Sequence, residues 1–347
     1  MSDWRIWFKR NFTFAERQAA RSFEKADTAY SHQDYKSALP LYEESLIQFR
    51  ALERWDMVLP LRLQLGYVNR LTGDYPAART HLEQAVSLAR NLKHGDHLEL
   101  ALIGLASIAA HQGEIGLAER LCAECLQREQ LPEKPLIYAA LQGLLGAISK
   151  TMPEGCVHFE RALEIYREKE FPDSIRNCLC SLGYCTAPGQ DNSRQRLWLL
   201  ECLELCEKHE DEKTRSYALN NLGNIERFEG DFDRAMELYR ESLRVKQQLG
   251  DEWAIAYTLE GCAAVSAARQ QGAKAARLLG KASEIRRRLS APLERNKQPE
   301  YTTVLTQVQE LLNAAEFELA WEEGRLLSVS QAIAEAVAEQ DDEASLV

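Results

Sequence analysis

One internal alignment limits the folds open to this chain more than any other feature. Leu63–Val86 reads LQLGYVNRLTGDYPAARTHLEQAV, and Asn220–Leu243 reads NNLGNIERFEGDFDRAMELYRESL. Both carry Leu-Gly, then Gly-Asp-aromatic with its glycine seven positions on, then alanine. These are Leu65, Gly66, Gly73, Asp74, Tyr75 and Ala78 in the first, and Leu222, Gly223, Gly230, Asp231, Phe232 and Ala235 in the second. The alanine position recurs at Ala38, Ala78, Ala118, Gly155, Gln195, Ala235 and Ala276, in steps of 40, 40, 37, 40, 40 and 41. A period of this size, held over seven units, signals a repeat architecture. Gly155 and Gln195 depart from the pattern. Two antiparallel helices approach closely only where small side chains meet. Gly223 and Ala235 supply that contact, with Leu222, Ile225, Leu238 and Leu243 filling the interface. Each hairpin leaves apolar surface for the next to bury, so the array winds into a superhelix.

The pattern resembles the tetratricopeptide repeat. The family's small first-helix residue matches Gly66 and Gly223, and its second-helix alanine matches Ala78 and Ala235. Its later aromatic and small positions match Tyr239 and Ser242. The resemblance implies an all-α, right-handed superhelical solenoid of about seven helical hairpins. The usual repeat has about 34 residues. The excess is nearly two helical turns, most simply one extra turn on each helix. LGDEW (Leu249–Trp253) fits the turn between units, with Gly250 at a helix C-terminus and Asp251 at the next N-cap. KHGDH (Lys93–His97) looks equivalent. The expected organisation is an aromatic and basic cap segment over 1–18, the solenoid over 19–290, a C-terminal helical extension over 291–340 and a disordered tail over 341–347.

Thr13 and Glu16 have capping-box spacing, which predicts a helix from near Phe14. Before it, Trp4, Trp7 and Phe8 fall on one side of a helix turn, amid Arg5, Lys9 and Arg10. They fit a cap over the open end of the first repeat, or a docking element for a partner or membrane. After Leu289, SAPLERNKQPE reads as a polar link and about Pro299 to Ala320 as one helix; Ser328 and Gln331 form a second capping-box pair. RLLGKASEIRRRLSAPL, followed by FELAWEEGRLLSVSQAIAEAV, resembles the end of the tetratricopeptide sensor regions of bacterial STAND signalling ATPases and LuxR-type regulators. That resemblance covers about Tyr217 to Val337. It implies a region that senses or docks while a separate nucleotide module switches. No such module is visible: around Gly280-Lys281, Ala275 stands where a phosphate loop needs glycine, and Ala282 where it needs a hydroxyl.

The formal net charge of −11 argues against a nucleic-acid partner, which needs a basic face. No apolar run approaches the roughly 18–20 residues of a membrane span, and the N-terminal stretch MSDWRIWFKRNFTF lacks the continuous apolar core and small-residue cleavage site of a secretion signal. A cytoplasmic bacterial protein is expected. Its nine cysteines should then be mostly reduced. Cys122 and Cys125 form a Cys-x-x-Cys pair, and Cys178, Cys180, Cys185, Cys202 and Cys206 cluster in one repeat. A structural zinc site needs four converging ligands. The repeat register instead gives Cys125 and Cys202 the small slot of Ala85 and Ser242, and Cys122 the aromatic slot of Tyr239, where cysteine acts as a small hydrophobe. The acids of FEGDFDRA, Glu229, Asp231 and Asp233 around Gly230, suggest a calcium loop. The twelfth position from Asp231 is Ser242, however, not glutamate, so the stretch reads as a turn. With scattered histidines and no hydrolase or zinc-protease motif, no catalytic residue, cofactor or metal is expected.

In the resembling fold, the first helices of successive repeats line a concave groove. Asn220, Asn224 and Arg227 form one stripe of such a helix. Asparagine can donate to and accept from a peptide backbone together, and arginine can clamp a carboxylate. The same register adds Asn177 and Tyr184 from the fifth repeat, and Tyr67 and Arg70 from the second. Water-satisfied polar residues are the plain alternative. Ile103, Ser107, Ala140, Leu144 and Ile148 make the third and fourth repeats apolar there, either to accept a partner's side chains or to be covered by the chain's own ends. The leading expectation is a non-catalytic scaffold or signalling adaptor binding a protein or peptide. The others are a ligand- or peptide-responsive sensor that regulates a partner, and a metalloprotein or enzyme built on the cysteines. A homo-oligomer is among the open partner readings.

Overall fold

Aspartates set the starts of five helices. Asp34, Asp74, Asp211, Asp231 and Asp251 each accept a hydrogen bond from the backbone N–H three residues on, at 2.9–3.2 Å. Each bond satisfies a donor that a helix start would otherwise leave open. The computed structural model describes residues 13–32, 34–128, 131–186, 189–295 and 297–338. Trp4, Trp7 and Phe8 and the tail over 341–347 lie outside the described residues.

Among the described residues the regular structure is helical throughout, with 17 α-helices and one short 3₁₀ turn. They pair as hairpins: α1 (Phe14–Ser31) with α2 (Tyr35–Ala51), α3 (Trp55–Leu71) with α4 (Tyr75–Asn91), and α5 (Gly95–His111) with α6 (Ile115–Leu126). Then come α7 (Pro135–Ile148) with α8 (Met152–Glu168), α9 (Pro172–Tyr184) with α10 (Ser193–Lys208), α11 (Glu212–Glu229) with α12 (Phe232–Leu249), and α13 (Glu252–Ala268) with α14 (Gly272–Arg288). The extension holds α15 (Gln298–Leu311), α16 (Ala314–Leu326) and α17 (Val329–Val337). The chain forms two compact units, one ending at Leu144 and the other starting at Leu145. No described helix is long and apolar enough to cross a membrane.

The turns keep time. A backbone N–H bonds the carbonyl five residues back at Asp34, Arg54, Asp74, His94 and Glu114, and again at Asp211, Asp231, Asp251, Gln271 and Ala291, a step of 20 within each series. This is the closing bond of a Schellman-type helix end. The 40-residue repeat is thus two equal halves, each one helix and one turn. The residue before most of these positions is left-handed: Gly73, Gly113, Gly230 and Gly250, but also Glu53, Lys93, Glu210, Gln270 and Ser290. KHGDH is therefore a turn of this kind in which Lys93, at φ 55°, takes the left-handed place. Gly95 instead opens α5.

Small residues meet large ones as the register requires. A Cβ added at Gly66 would lie 2.5 Å from Leu82 Cγ, and one at Gly104 3.0 Å from Leu82 Cδ2. Leu82 of α4 is thus held between α3 and α5. In the second unit Tyr239 of α12 takes the same place between Gly223 of α11 and Gly261 of α13, at 2.7 and 2.8 Å. Leu82 and Tyr239 are both fully buried. A second recurring contact ties four of the hairpins. Ser45, Cys125, Cys202 and Ser242 bond the carbonyls of Ala19, Glu99, Arg176 and Ser216, each 26 residues earlier, at 2.9, 3.8, 3.4 and 2.7 Å. The cysteines fill the small slot and donate weakly from it.

The extension departs from the single helix expected over about Pro299 to Ala320. The helix breaks at Leu312, and α16 restarts on a capping box of Asn313 and Glu316. Asn313, a strong N-cap, outcompetes continued helix there. The capping boxes at Thr13 with Glu16 and Ser328 with Gln331 are both formed. Gly280 and Gly324 let α14 and α16 cross with backbones in contact. A Cβ at Gly324 would lie 2.5 Å from Arg277 Cα, with the Arg277 carbonyl oxygen nearer still. Gly280, with no phosphate-loop sequence around it, meets the backbone of Trp321 in this crossing.

Candidate functional site

The first helices of the last three hairpins, α9, α11 and α13, bring polar and aromatic side chains to one place. Asn220 and Asn224 lie on the buried side of α11, at 1% and 5% exposure, with the Arg227 side chain at 10%. Asn224 uses both ends of its amide. Its Oδ1 accepts from Tyr239 Oη at 2.7 Å, and its Nδ2 donates to Tyr257 Oη at 3.2 Å. Arg227 donates Nε to Tyr239 Oη at 3.3 Å and forms an ion pair with Glu300 of α15. The Lys246 ammonium donates to Asn220 Oδ1 at 3.4 Å and to Thr258 Oγ1 at 2.7 Å. Tyr184, at the end of α9, packs its ring 5.8 Å from that of Tyr257.

Lys297, the N-cap residue of α15, is 4% exposed. Its ammonium lies 4.3 Å from the Tyr184 ring centroid and 5.8 Å from that of Tyr257. It also lies 3.6 Å from the Glu300 carboxylate. A desolvated ammonium over tyrosine faces gains about 2 kcal/mol or more from the ring quadrupoles, which offsets part of its burial cost. Burial pushes Lys297 down from its ordinary value, while Glu300 opposes the fall. Burial raises the Glu300 carboxyl, but Lys297 and Arg227 outweigh it and hold the group below the usual carboxylate range. Beside them, Glu260 of α13 accepts both guanidinium bonds of Arg286, at 2.6 and 2.9 Å. Burial holds the Glu260 carboxyl above its ordinary value against that arginine.

Of the residues singled out from sequence, Tyr184, Asn220, Asn224 and Arg227 come together in this network. Asn177 is exposed on α9 and accepts a bond from Thr214 at 3.5 Å. Tyr67 and Arg70 belong to the first unit. Tyr67 donates to the Leu100 carbonyl at 3.1 Å, and burial pushes its phenol up to about 12. Arg70 holds the register slot of Arg227, since both stand four residues after their hairpin's glycine. Ile103, Leu144 and Ile148 are buried, and Ser107 is half-buried. Sequence reasoning did not pick out Tyr257, Glu260, Lys297 or Glu300. The readable signal for the last two was Lys-x-x-Glu-Tyr at the start of a helix, with proline in its first turn.

Other candidate chemistry disperses. Glu229 pairs with Arg196 at 2.7 Å and Asp233 with Arg269 at 2.5 Å, so the acids of FEGDFDRA point to different neighbours. Cys122, Cys125, Cys178, Cys180, Cys185, Cys202 and Cys206 are buried free thiols. Among the described residues no group of three or more His, Cys, Asp or Glu could hold a metal ion.

Family models match the chain in two stretches, both described as tetratricopeptide repeat: residues 18–91 and residues 216–249. No curated protein matches. Solved structures of similar fold include the apo form of RapI, at 13% identity and TM-score 0.56, covering 84% of this chain and 99% of that one. A Rap protein complexed with competence and sporulation factor aligns at 14% identity and TM-score 0.58, covering 92% and 99%. The apo form of the quorum sensor NprR from B. thuringiensis aligns at 15% identity and TM-score 0.52, covering 93% and 99%. These matches carry the repeat assignment and the fold. The finer resemblance to STAND ATPase and LuxR-type sensor regions rests on the sequence stretch alone.

Proposed function

We infer that this tetratricopeptide repeat protein is a non-catalytic regulatory scaffold that holds a polypeptide segment of a partner against the first helices of its repeats. One observation carries the reading. In the second unit, the face shared by α9, α11 and α13 already receives a polypeptide segment, the first turns of α15, through Tyr184, Arg227 and Tyr257. Such a face combines aromatic rings, a clamping arginine and amides, the groups that peptide-binding grooves use. Two similar structures are a complex of a Rap protein with competence and sporulation factor, and a quorum sensor. They favour a signal-responsive scaffold over a passive one.

The test is a display library of helical peptides panned against the full chain, followed by crosslinking and mass spectrometry. Saturable binders that crosslink to α9, α11 or α13 are the expected result. If binders crosslink only to the second helices α10 or α12, or if none saturates, the reading is wrong.

A further inference from the structure

The segment on this face has the layout of a ligand. Lys297, Glu300, Tyr301 and Val304 stand at i, i+3, i+4 and i+7, one stripe of a helix. All four are buried or half-buried, whereas Gln298, Pro299, Thr302 and Thr303 between them are exposed. Each member of the stripe meets a matching group. Lys297 sits over the rings of Tyr184 and Tyr257, and Glu300 pairs with Arg227. Tyr301 and Val304 border a cavity with Gly261, Ala264 and Leu279. An amphipathic helix seated in a groove is read through anchors at these spacings.

The fit is also incomplete. The cavity between α15 and the helices beneath it has a volume of about 30 Å³. Tyr184 Oη and Arg286 Nη1 are buried in this region and make no hydrogen bond, and leaving such groups unpaired is costly. Only Val308 of α15 is buried outright, whereas α13 buries thirteen residues. No side chain caps the start of α15, and a helix of 14 residues is marginal without packing. The core helix α14 also starts without a side-chain cap, so it is the sparse burial of α15 that sets it apart from α11 and α13.

We propose that the first turns of α15 stand in for a partner. The face of α9, α11 and α13 selects an amphipathic helix with a base, an acid, an aromatic and an aliphatic residue at i, i+3, i+4 and i+7, and α15 withdraws before that helix seats. This rests on the reading of the face as a polypeptide-binding surface and names what that surface takes. The base reaches the two tyrosine rings, and the acid reaches Arg227. A helix lacking the acid leaves the Arg227 side chain, 10% exposed, without its carboxylate, which is how the face discriminates.

The probe is a labelled synthetic peptide spanning residues 297–311 of this chain. The proteins are the full chain and its Lys297→Ala/Glu300→Gln variant, in which the receiving helices are untouched. The peptide should bind the variant at least tenfold more tightly than the parent, and Glu300→Gln within the peptide should remove most of that gain. Equal binding to both proteins, binding to neither, or indifference to the peptide's own Glu300→Gln change would each overturn the proposal. Hydrogen exchange of the variant is the companion measurement. Protection in α13 should persist while that in α15 falls; loss of both together would make α15 a structural part of the unit and end the argument. If library peptides crosslink to α9, α11 and α13 while the α15 peptide binds neither protein, this inference fails alone. If the α15 peptide exchanges as stated but no library peptide binds, the external partner is lost and an internal contact remains.

Discussion

Replacing Gly324 by alanine should loosen the C-terminal helices, against what helix propensity alone predicts. Alanine in a helix interior is favoured over glycine by about 1 kcal/mol. Gly324 lies in α16 at the crossing with α14, and an added Cβ there would sit 2.5 Å from Arg277 Cα. Ordinary contact begins near 3.4 Å, so the helices must part by at least about 1 Å. A gap of that size forfeits a quarter to a half of each dispersion contact along the crossing, and overpacking of this kind typically costs about 1–3 kcal/mol. The opposing atoms are backbone and cannot rotate away. The clash therefore outweighs the propensity gain, with a net loss of up to about 2 kcal/mol in the docking of α16 and α17. Gly143 of α7 is the control, because nothing lies within 4 Å of its added Cβ. Gly143→Ala should stabilise by about 0.5–1 kcal/mol. Hydrogen exchange read helix by helix measures both. Slower exchange in α16 of Gly324→Ala, or equal gains in the two variants, would refute the close-approach account.

Lys246 gives a pH prediction. Burial pushes its ammonium down to about 7, with Asp251 opposing, while an unfolded lysine titrates near 10.4. Between those values the unfolded chain holds a proton that the folded one lacks. Stability should therefore rise with pH across about 7 to 10, at up to about 1.4 kcal/mol per unit, and the full penalty should apply below 7. Lys246→Met should flatten that slope in urea unfolding at a series of pH values; an unchanged slope would assign it to other groups. Leu82→Ala should cost about 2–5 kcal/mol, because Leu82 fills the space between Gly66 and Gly104, and its denaturation midpoint in urea is the check. Native thiol labelling should reach half-buried Cys156 before any other cysteine. Neighbouring Cys185 also holds the Cys156 thiol below its ordinary value. Equal early modification of Cys122 or Cys125, which burial pushes up to about 12, would contradict their placement.

The hairpins are legible in the sequence because close helix contact leaves few choices at the contact point. Gly66, Gly223, Ala78 and Ala235 are small for one reason, repeated, and repetition makes the reason visible. Capping boxes are legible because their partners are three residues apart. The network around Lys297 is not, because its partners are remote in sequence: Tyr184 on α9, Arg227 on α11 and Tyr257 on α13. Within SAPLERNKQPE, a lysine and two glutamates read as a solvated link by any local rule. Only the tertiary neighbours make their burial tolerable. The stripe Asn220, Asn224 and Arg227 is legible as a stripe, but its bonds to Tyr239, Tyr257, Lys246 and Glu300 cross between helices and leave no local spacing to read.

The 20-residue spacing of the turns sets what lengths of insertion or deletion the chain can absorb. Excising 40 residues between two like turns, such as Asp211 and Asp251, removes one first helix and one second helix, and every remaining helix keeps its role. Excising 20 exchanges those roles for everything downstream, turning inward faces outward. The 37-residue step between Ala78's successor Ala118 and Gly155 breaks the rhythm near where one compact unit gives way to the next. Lengthening or shortening by whole repeats on either side of that junction would alter how many first helices each unit offers without disturbing any single hairpin. The array of first helices within each unit is thus adjustable in steps of two helices, independently of what any one face binds.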